Sequence, residues 1–380
     1  MNKIRLTNNW EYLKGDLGGI WEAVRPAAPG SSEAVPIWQP VTLPHCFNAE
    51  DAVDPDVNYY EGPGWYKTLL AIDNPYRNGR IVLDFDGAGQ KTDVYVYTTH
   101  VGSHVGGYDS WNVDITDAVK AFLGSKDAER FKGKVPLSIR CDNSRDLEMI
   151  PSDLADFNIY GGLYRYLNLV YLPEVSFEQI HLESSLSSNL KEGILKVKTS
   201  FYNPEDIRKA DVTVSVYDVD RKPVFSKTLE GILPLGDQLL AKMKIKNPVL
   251  WDVDVPQLYT CELTVKTPDQ TFTTEERFGF RHTEFKDKGP FFLNGKRLLL
   301  RGTHRHEDHA GVAQAMTEDM MRREMRMMKD MGVNFIRLGH YQQSEIILDL
   351  CDELGILVWE EIPWCRGGLG GDVYKKQARR

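Results

Sequence analysis

Basic residues never gather in this chain. Its 46 Lys and Arg are spread over 380 residues, the longest clusters are pairs such as Lys375-Lys376 and Arg379-Arg380, and 55 Asp and Glu leave a formal charge of −9. A nucleic-acid binder of this size would carry a basic block or net positive charge, so nucleic acid is not an expected partner. Apolar runs are equally short. None approaches the roughly 18 residues that span a bilayer, and stretches such as Leu298-Leu299-Leu300 are only a few residues long, so no membrane partner is expected. The five cysteines (46, 141, 261, 351, 365) are odd in number and far apart, which suits neither a disulfide framework nor a paired-cysteine metal site. Met1 to Trp10 lacks the apolar core of a secretion signal. The expected compartment is the cytoplasm, or the periplasm or exterior if a leader has been removed.

What is present suffices for several packed cores. Hydrophobic residues make up 42% and aromatics 11%, and at roughly 100–200 residues per domain the length implies two to four domains. From Met1 to about Pro173, short alternating runs such as Arg80-Ile-Val-Leu-Asp-Phe and Asp93-Val-Tyr-Val-Tyr are separated by Gly, Pro, Asn and Asp, the pattern of an antiparallel jelly roll. Trp10, Trp21, Trp38, Trp65 and Trp111 are expected mostly in its core. After Pro173 the alternating runs lengthen (Leu195-Lys-Val-Lys-Thr-Ser-Phe, Val212-Thr-Val-Ser-Val-Tyr, Tyr259-Thr-Cys-Glu-Leu-Thr-Val), which predicts an immunoglobulin-like β-sandwich. The period changes again from Phe285. A buried strand is expected at Arg297–Gly302, then a helix capped by Thr317 that buries Met321, Met325 and Met328. A strand at 334–338, a helix from Ser344 to Leu354 stopped by Gly355, and a strand at 356–360 complete the opening of a parallel TIM (β/α)8 barrel. The expected domains are 1–174, 175–284 and 285–380.

In such a barrel the reacting groups sit beyond the strand ends. The first strand runs into His304-Arg-His306-Glu307-Asp308-His309, the second into His340-Tyr341 and the third into Glu360-Glu361, so histidines and carboxylates should meet on one face. Two histidines at i, i+2 can share a metal that activates water, which is similar to the amidohydrolase superfamily. Against this, the further ligands of that site are missing and two upstream sandwiches would be unexplained. Singly, His304 and His309 read equally well as ordinary surface histidines.

The order of parts, with Phe278-Gly-Phe-Arg281, Phe291-Phe-Leu-Asn-Gly-Lys-Arg-Leu-Leu-Leu-Arg-Gly302 and above all Asn334-x-x-Arg337-x-x-His340-Tyr341 followed by Asp352-x-x-Gly355, resembles glycoside hydrolase family 2, the β-galactosidase and β-glucuronidase family. The resemblance covers essentially the whole chain. It implies a retaining hydrolase of terminal β-glycosides, β-galactosides first and β-glucuronides or β-mannosides after, with an oligosaccharide or β-glycoside as partner and a homo-oligomer as an assembly option. It implies that His306 and His340 bind the innermost sugar, joined by Asn58 and Asp156 from the jelly roll. Arg337 would brace a catalytic carboxylate, and Glu360 and Glu361 would support the site. No cofactor is required, although magnesium or sodium assists some members, and only Asp156 is a sodium ligand candidate here. The plain alternatives are turn residues for Asn58 and Asp156 and a structural ion pair for Arg337.

Retaining hydrolysis needs two carboxyl groups roughly 5–5.5 Å apart, and the resemblance places the acid/base in an Asn-Glu pair. The chain has no Asn-Glu dipeptide and offers about 95 residues of a barrel that takes about 250. No catalytic residue is therefore expected within it. Three strands are expected to leave unpaired edges and an uncovered apolar face prone to self-association. A stand-alone carbohydrate-binding protein built on the two sandwiches is the alternative function, and a metal-dependent amidohydrolase-like enzyme the third.

Overall fold

The computed structural model describes residues 2–26, 36–152, 154–204, 208–364, 366 and 370–380. Alternation of buried and exposed side chains produces two sandwiches in succession. In the first, a four-stranded antiparallel sheet (Asn2–Arg5, Leu167–Leu172, Arg80–Phe85, Trp111–Asp114, in spatial order) faces a six-stranded one whose centre is Pro63–Leu70 and Val135–Asp142. Trp10, Tyr66, Leu83, Phe85, Leu137 and Ile139 fill the space between them. Trp10 and Trp65 are core residues as expected, and Trp111 stacks on Phe85 at 4.1 Å. Trp21 is not. It lies 48% exposed, edge-on to Tyr97, because the short Trp21–Val24 helix packs through Ala23 and Val24 instead.

The second sandwich sets Ser176–Leu186, Glu192–Tyr202 and Gly236–Lys246 against a four-stranded sheet of Pro223–Ile232, Ala210–Tyr217, Tyr259–Lys266 and Thr271–Phe278. Strict alternation along Glu192–Tyr202 sends Leu195, Val197 and Phe201 inward, as period-two side-chain geometry requires.

Three parallel strands then form a sheet in the order Gly302–Arg305, Phe335–Leu338, Leu357–Glu360. The helix Glu318–Asp330 is capped by the Thr317 side chain and buries Met321 and Met325. The helix Glu345–Leu354 is capped by Ser344 and ends at Gly355 in the left-handed region. A Cβ at Gly355 would stand 2.3 Å from the Val253 carbonyl oxygen, so glycine is demanded by both conformation and close approach. Trp251 Nε1 donates to the Asp352 carbonyl at 2.8 Å, and Arg277 bridges Asp349 and Glu353, which ties the second sandwich to the same helix.

One element differs from expectation. The buried strand anticipated at Arg297–Gly302 begins only at Gly302, and Leu299 is 67% exposed. The buried Asn334 side chain takes the place of a ladder there, accepting from Arg301 N at 2.8 Å and donating to the Leu299 carbonyl at 3.0 Å. The three-leucine run reads as core only from composition. Val358, Trp359 and Ile362 are also exposed, so the open face of the three strands is apolar. No helix among the described residues is long and apolar enough to cross a membrane.

Candidate active site

Parallel pairing sets His304 opposite Arg337 and Arg337 opposite Trp359, so the residues that follow converge at one sheet end. His304, His306 and His340 form a triangle with ring centroids 5.0, 5.4 and 5.6 Å apart. Arg337 grips Glu361 with two prongs, Nε to Oε1 at 2.7 Å and Nη2 to Oε2 at 3.0 Å. His340 Nδ1 lies 3.0 Å from the same Oε2. Arg337 Nη2 lies 3.1 Å from the same Nδ1, so Nδ1 donates to the carboxylate in one tautomer and accepts from the guanidinium in the other, and it is engaged in both. The hydrogen bonds from Arg337, reinforced by His340, hold the Glu361 carboxyl below its ordinary range. Burial lowers the pKa of both His304 and His306, helped by Arg337 at His304 and by the neighbouring imidazoles at both.

The jelly roll supplies the opposite wall. Phe157 lies 5.8 Å from the His306 ring and stacks at 5.9 Å, 21° from parallel, on His340. Behind it opens a cavity of about 290 Å³ lined by Tyr59, Asn143, Arg145, Met149 and Asn158. Tyr341 is buried against His306 and stacks on Tyr108 of the jelly roll at 4.0 Å.

The wall is fixed by a buried ion pair. Arg165 Nη2 meets Glu307 Oε2 at 2.8 Å and Arg165 Nε meets Oε1 at 3.2 Å, both side chains almost wholly buried. Glu307 Oε2 also accepts from Ser344 N at 3.1 Å, and Arg165 donates to the Gln342 carbonyl at 2.6 Å. Each charge is thus satisfied by several partners, the condition under which burying it is tolerable.

Not every expected residue joins the cluster. Asp156, the candidate sodium ligand next to Phe157, is exposed and pairs with Arg366 at 2.6 Å. Asn58 is exposed and makes no hydrogen bond among the described residues. Glu360 turns to accept from Gln343 N at 3.3 Å, and His309 bonds the adjacent Ala310 carbonyl away from the triangle. Phe157, Arg165 and Tyr341 are the site residues that sequence reading gave no role. Phe157 and Arg165 had a signal in the Asp156–Arg165 stretch, whose partners lie far along the chain.

Comparison with known proteins follows this division. Family models match residues 19–173 (glycosyl hydrolases family 2, sugar binding domain), 175–281 (glycosyl hydrolases family 2) and 284–371 (glycosyl hydrolases family 2, TIM barrel domain). The apo structure of Bacteroides uniformis β-glucuronidase 3 superposes with a TM-score of 0.94 at 58% identity, over 100% of this chain and 48% of that one. A putative β-glucuronidase of Formosa agariphila is 38% identical over 99% of this chain and 43% of its own length. A β-galactosidase of Thermoanaerobacterium thermosulfurigenes is 30% identical over 99% of this chain and 50% of its own length. The chain therefore spans about half the length of the relatives it matches. Two sandwiches leading into barrel strands, each matched by its own family model, make this chain a member of glycosyl hydrolase family 2.

Proposed function

We propose that the chain forms the sugar-facing front portion of a retaining β-glycosidase. Terminal β-glucuronides are its first substrate class and β-galactosides its second. That order reverses the expectation drawn from sequence, because the relatives at 58% and 38% identity carry the β-glucuronidase name and the β-galactosidase stands at 30%. The single observation that carries the reading is the His306–His340 pair at the strand ends, walled by Phe157. Two imidazoles with outward nitrogens beside an aromatic face suit a ring that offers hydroxyls on its edge and C–H groups on its face.

The carboxylates near that pair support a binding role for this part and catalysis by glutamates it does not contain. Glu307 is sealed against Arg165 and Glu361 against Arg337, so neither is free to act as nucleophile or proton donor in a double displacement. In this reading Arg337 and Glu361 hold the His340 ring in place, no cofactor is required, and the cavity behind Phe157 receives the leaving group.

Saturation-transfer NMR on the 380-residue protein tests this with methyl β-D-glucuronide, methyl β-D-galactoside and methyl β-D-mannoside. Glucuronide binding that disappears in His306→Ala is the expected result. Sugar binding indifferent to His306 would favour a carbohydrate-binding protein built on the sandwiches. Turnover of p-nitrophenyl β-glycosides by the pure chain would overturn the assignment of catalysis to other residues.

A further inference from the structure

We propose that His304, His306 and His340 form a binding site for a single divalent transition metal of the zinc, nickel or copper class, separate from any catalytic role. The three side chains each offer a ring nitrogen, and these nitrogens all lie within 4.8 Å of one another. They come from two strand ends held in fixed register, since His304 pairs with Arg337 and His340 stands three residues after Arg337.

Two of the three rings are already oriented as ligands. A metal-binding imidazole commonly gives its other nitrogen to a carboxylate, which fixes the tautomer and raises the basicity of the free nitrogen. His340 places Nδ1 3.0 Å from Glu361 Oε2, with Arg337 holding that carboxylate and standing 3.1 Å from the same nitrogen. His306 Nδ1 faces the Tyr341 hydroxyl at 3.4 Å, leaving Nε2 outward. His304 is the exposed member, and its ring bonds the Gly339 backbone, a contact it gives up on turning to a metal. A tetrahedral ion with bonds of about 2.0–2.1 Å needs its nitrogens roughly 3.4 Å apart, so separations of up to 4.8 Å must close by up to about 1.4 Å through side-chain rotation, chiefly at His304.

Imidazole donors without thiolates suit zinc, nickel and copper, and exclude a magnesium or calcium site, which would need oxygen ligands. Three histidines on one side leave the fourth position open toward the sugar-facing space. The consequence for ligands rests on the reading given above. A metal there takes the outward nitrogens of His306 and His340, so metal and sugar should exclude one another.

The test is titration of the chelator-treated 380-residue protein with ZnCl2 by calorimetry and with CoCl2 by visible absorption. One equivalent should bind, with the cobalt bands of a low-coordinate nitrogen site. His304→Ala should weaken binding at least tenfold and Glu361→Gln about tenfold, whereas His309→Ala should leave it unchanged. If His304→Ala folds poorly, His304→Asn gives the same comparison with a polar side chain of similar reach. No saturable binding, or binding equal in wild type and His304→Ala, would overturn the site. Stoichiometric metal that His304→Ala removes but that does not compete with methyl β-D-glucuronide would leave the metal site standing and overturn the sugar-binding reading.

Discussion

Arg165 of the jelly roll and Glu307 of the first barrel loop face each other as a two-pronged ion pair, 142 residues apart in sequence and almost wholly buried. The pair adjoins the histidine triangle along the chain, since Glu307 follows His306, and Glu307 also receives Ser344 N at the start of a barrel helix. One contact thereby fixes the loop that carries His306, the helix that follows His340 and the jelly-roll segment that carries Phe157.

Breaking that pair from one side should be costly. Arg165→Met or Glu307→Leu alone is expected to destabilise by about 3–5 kcal/mol, because the survivor is a buried charge without its partner. The double replacement should cost much less than the sum. A thermal-melt double-mutant cycle followed by tryptophan fluorescence checks this, and additive losses would show that the two charges do not depend on each other.

His45 gives the jelly roll a pH dependence of definite sign. Burial pushes its pKa down to about 4, and its Nδ1 lies 2.8 Å from the Tyr66 hydroxyl. Between pH 6.5 and about 4 the unfolded chain takes up a proton that the folded chain refuses, so stability falls as pH falls through that window. The loss attributable to this one group is on the order of 3 kcal/mol. Urea midpoints at pH 7 and pH 4.5 should differ less in His45→Gln than in wild type, and an equal difference in both would refute the assignment.

Gly355→Ala should loosen the junction between the second sandwich and the barrel strands. The new methyl would meet the Val253 carbonyl oxygen at 2.3 Å with φ at +70°, a combination expected to cost well over 1 kcal/mol. Hydrogen exchange should show faster opening of Glu345–Leu354 while the inner strands of the second sandwich keep their protection.

Phe157→Ala should leave the fold intact and weaken the glucuronide. The ring touches His306, His340 and Tyr341 from a loop rather than from a sheet core, so its loss removes a wall and little else. We expect a decrease of about tenfold in affinity, equivalent to ~1.4 kcal/mol, with an unchanged circular dichroism spectrum. An unchanged affinity would mean the sugar does not lie against this ring.

Much of the fold was legible because its signals are local. Thr317 caps the helix it was expected to cap, Gly355 stops the next one as expected, and the methionine spacing marks the buried face of the first. The lead-in at 297–301 was misread because three leucines look like core whether or not a partner covers them, and what organises them is one Asn334 amide. At the site, His306 and His340 could be placed by their positions after strands. Phe157, Arg165 and Glu307 could not be linked from sequence, since spacing along the chain says nothing of partners some 140 residues away. Nor does it show that Arg366 engages Asp156.

Asn334 binds both the residue before the first barrel strand and the carbonyl two residues earlier. Insertions or deletions in that short lead-in would therefore break the alignment of the two strands. A slip of one residue turns every side chain of a strand to the opposite face, which would carry His304 and His306 away from His340 together. The loop between Glu307 and Thr317 is exposed at its 309–311 tip, where the backbone hydrogen bonds stay within the turn, His309 N to Ala313 and Val312 N to His309. Length variation in natural or designed versions of this barrel should thus collect at that tip and be purged from the four residues ahead of Gly302.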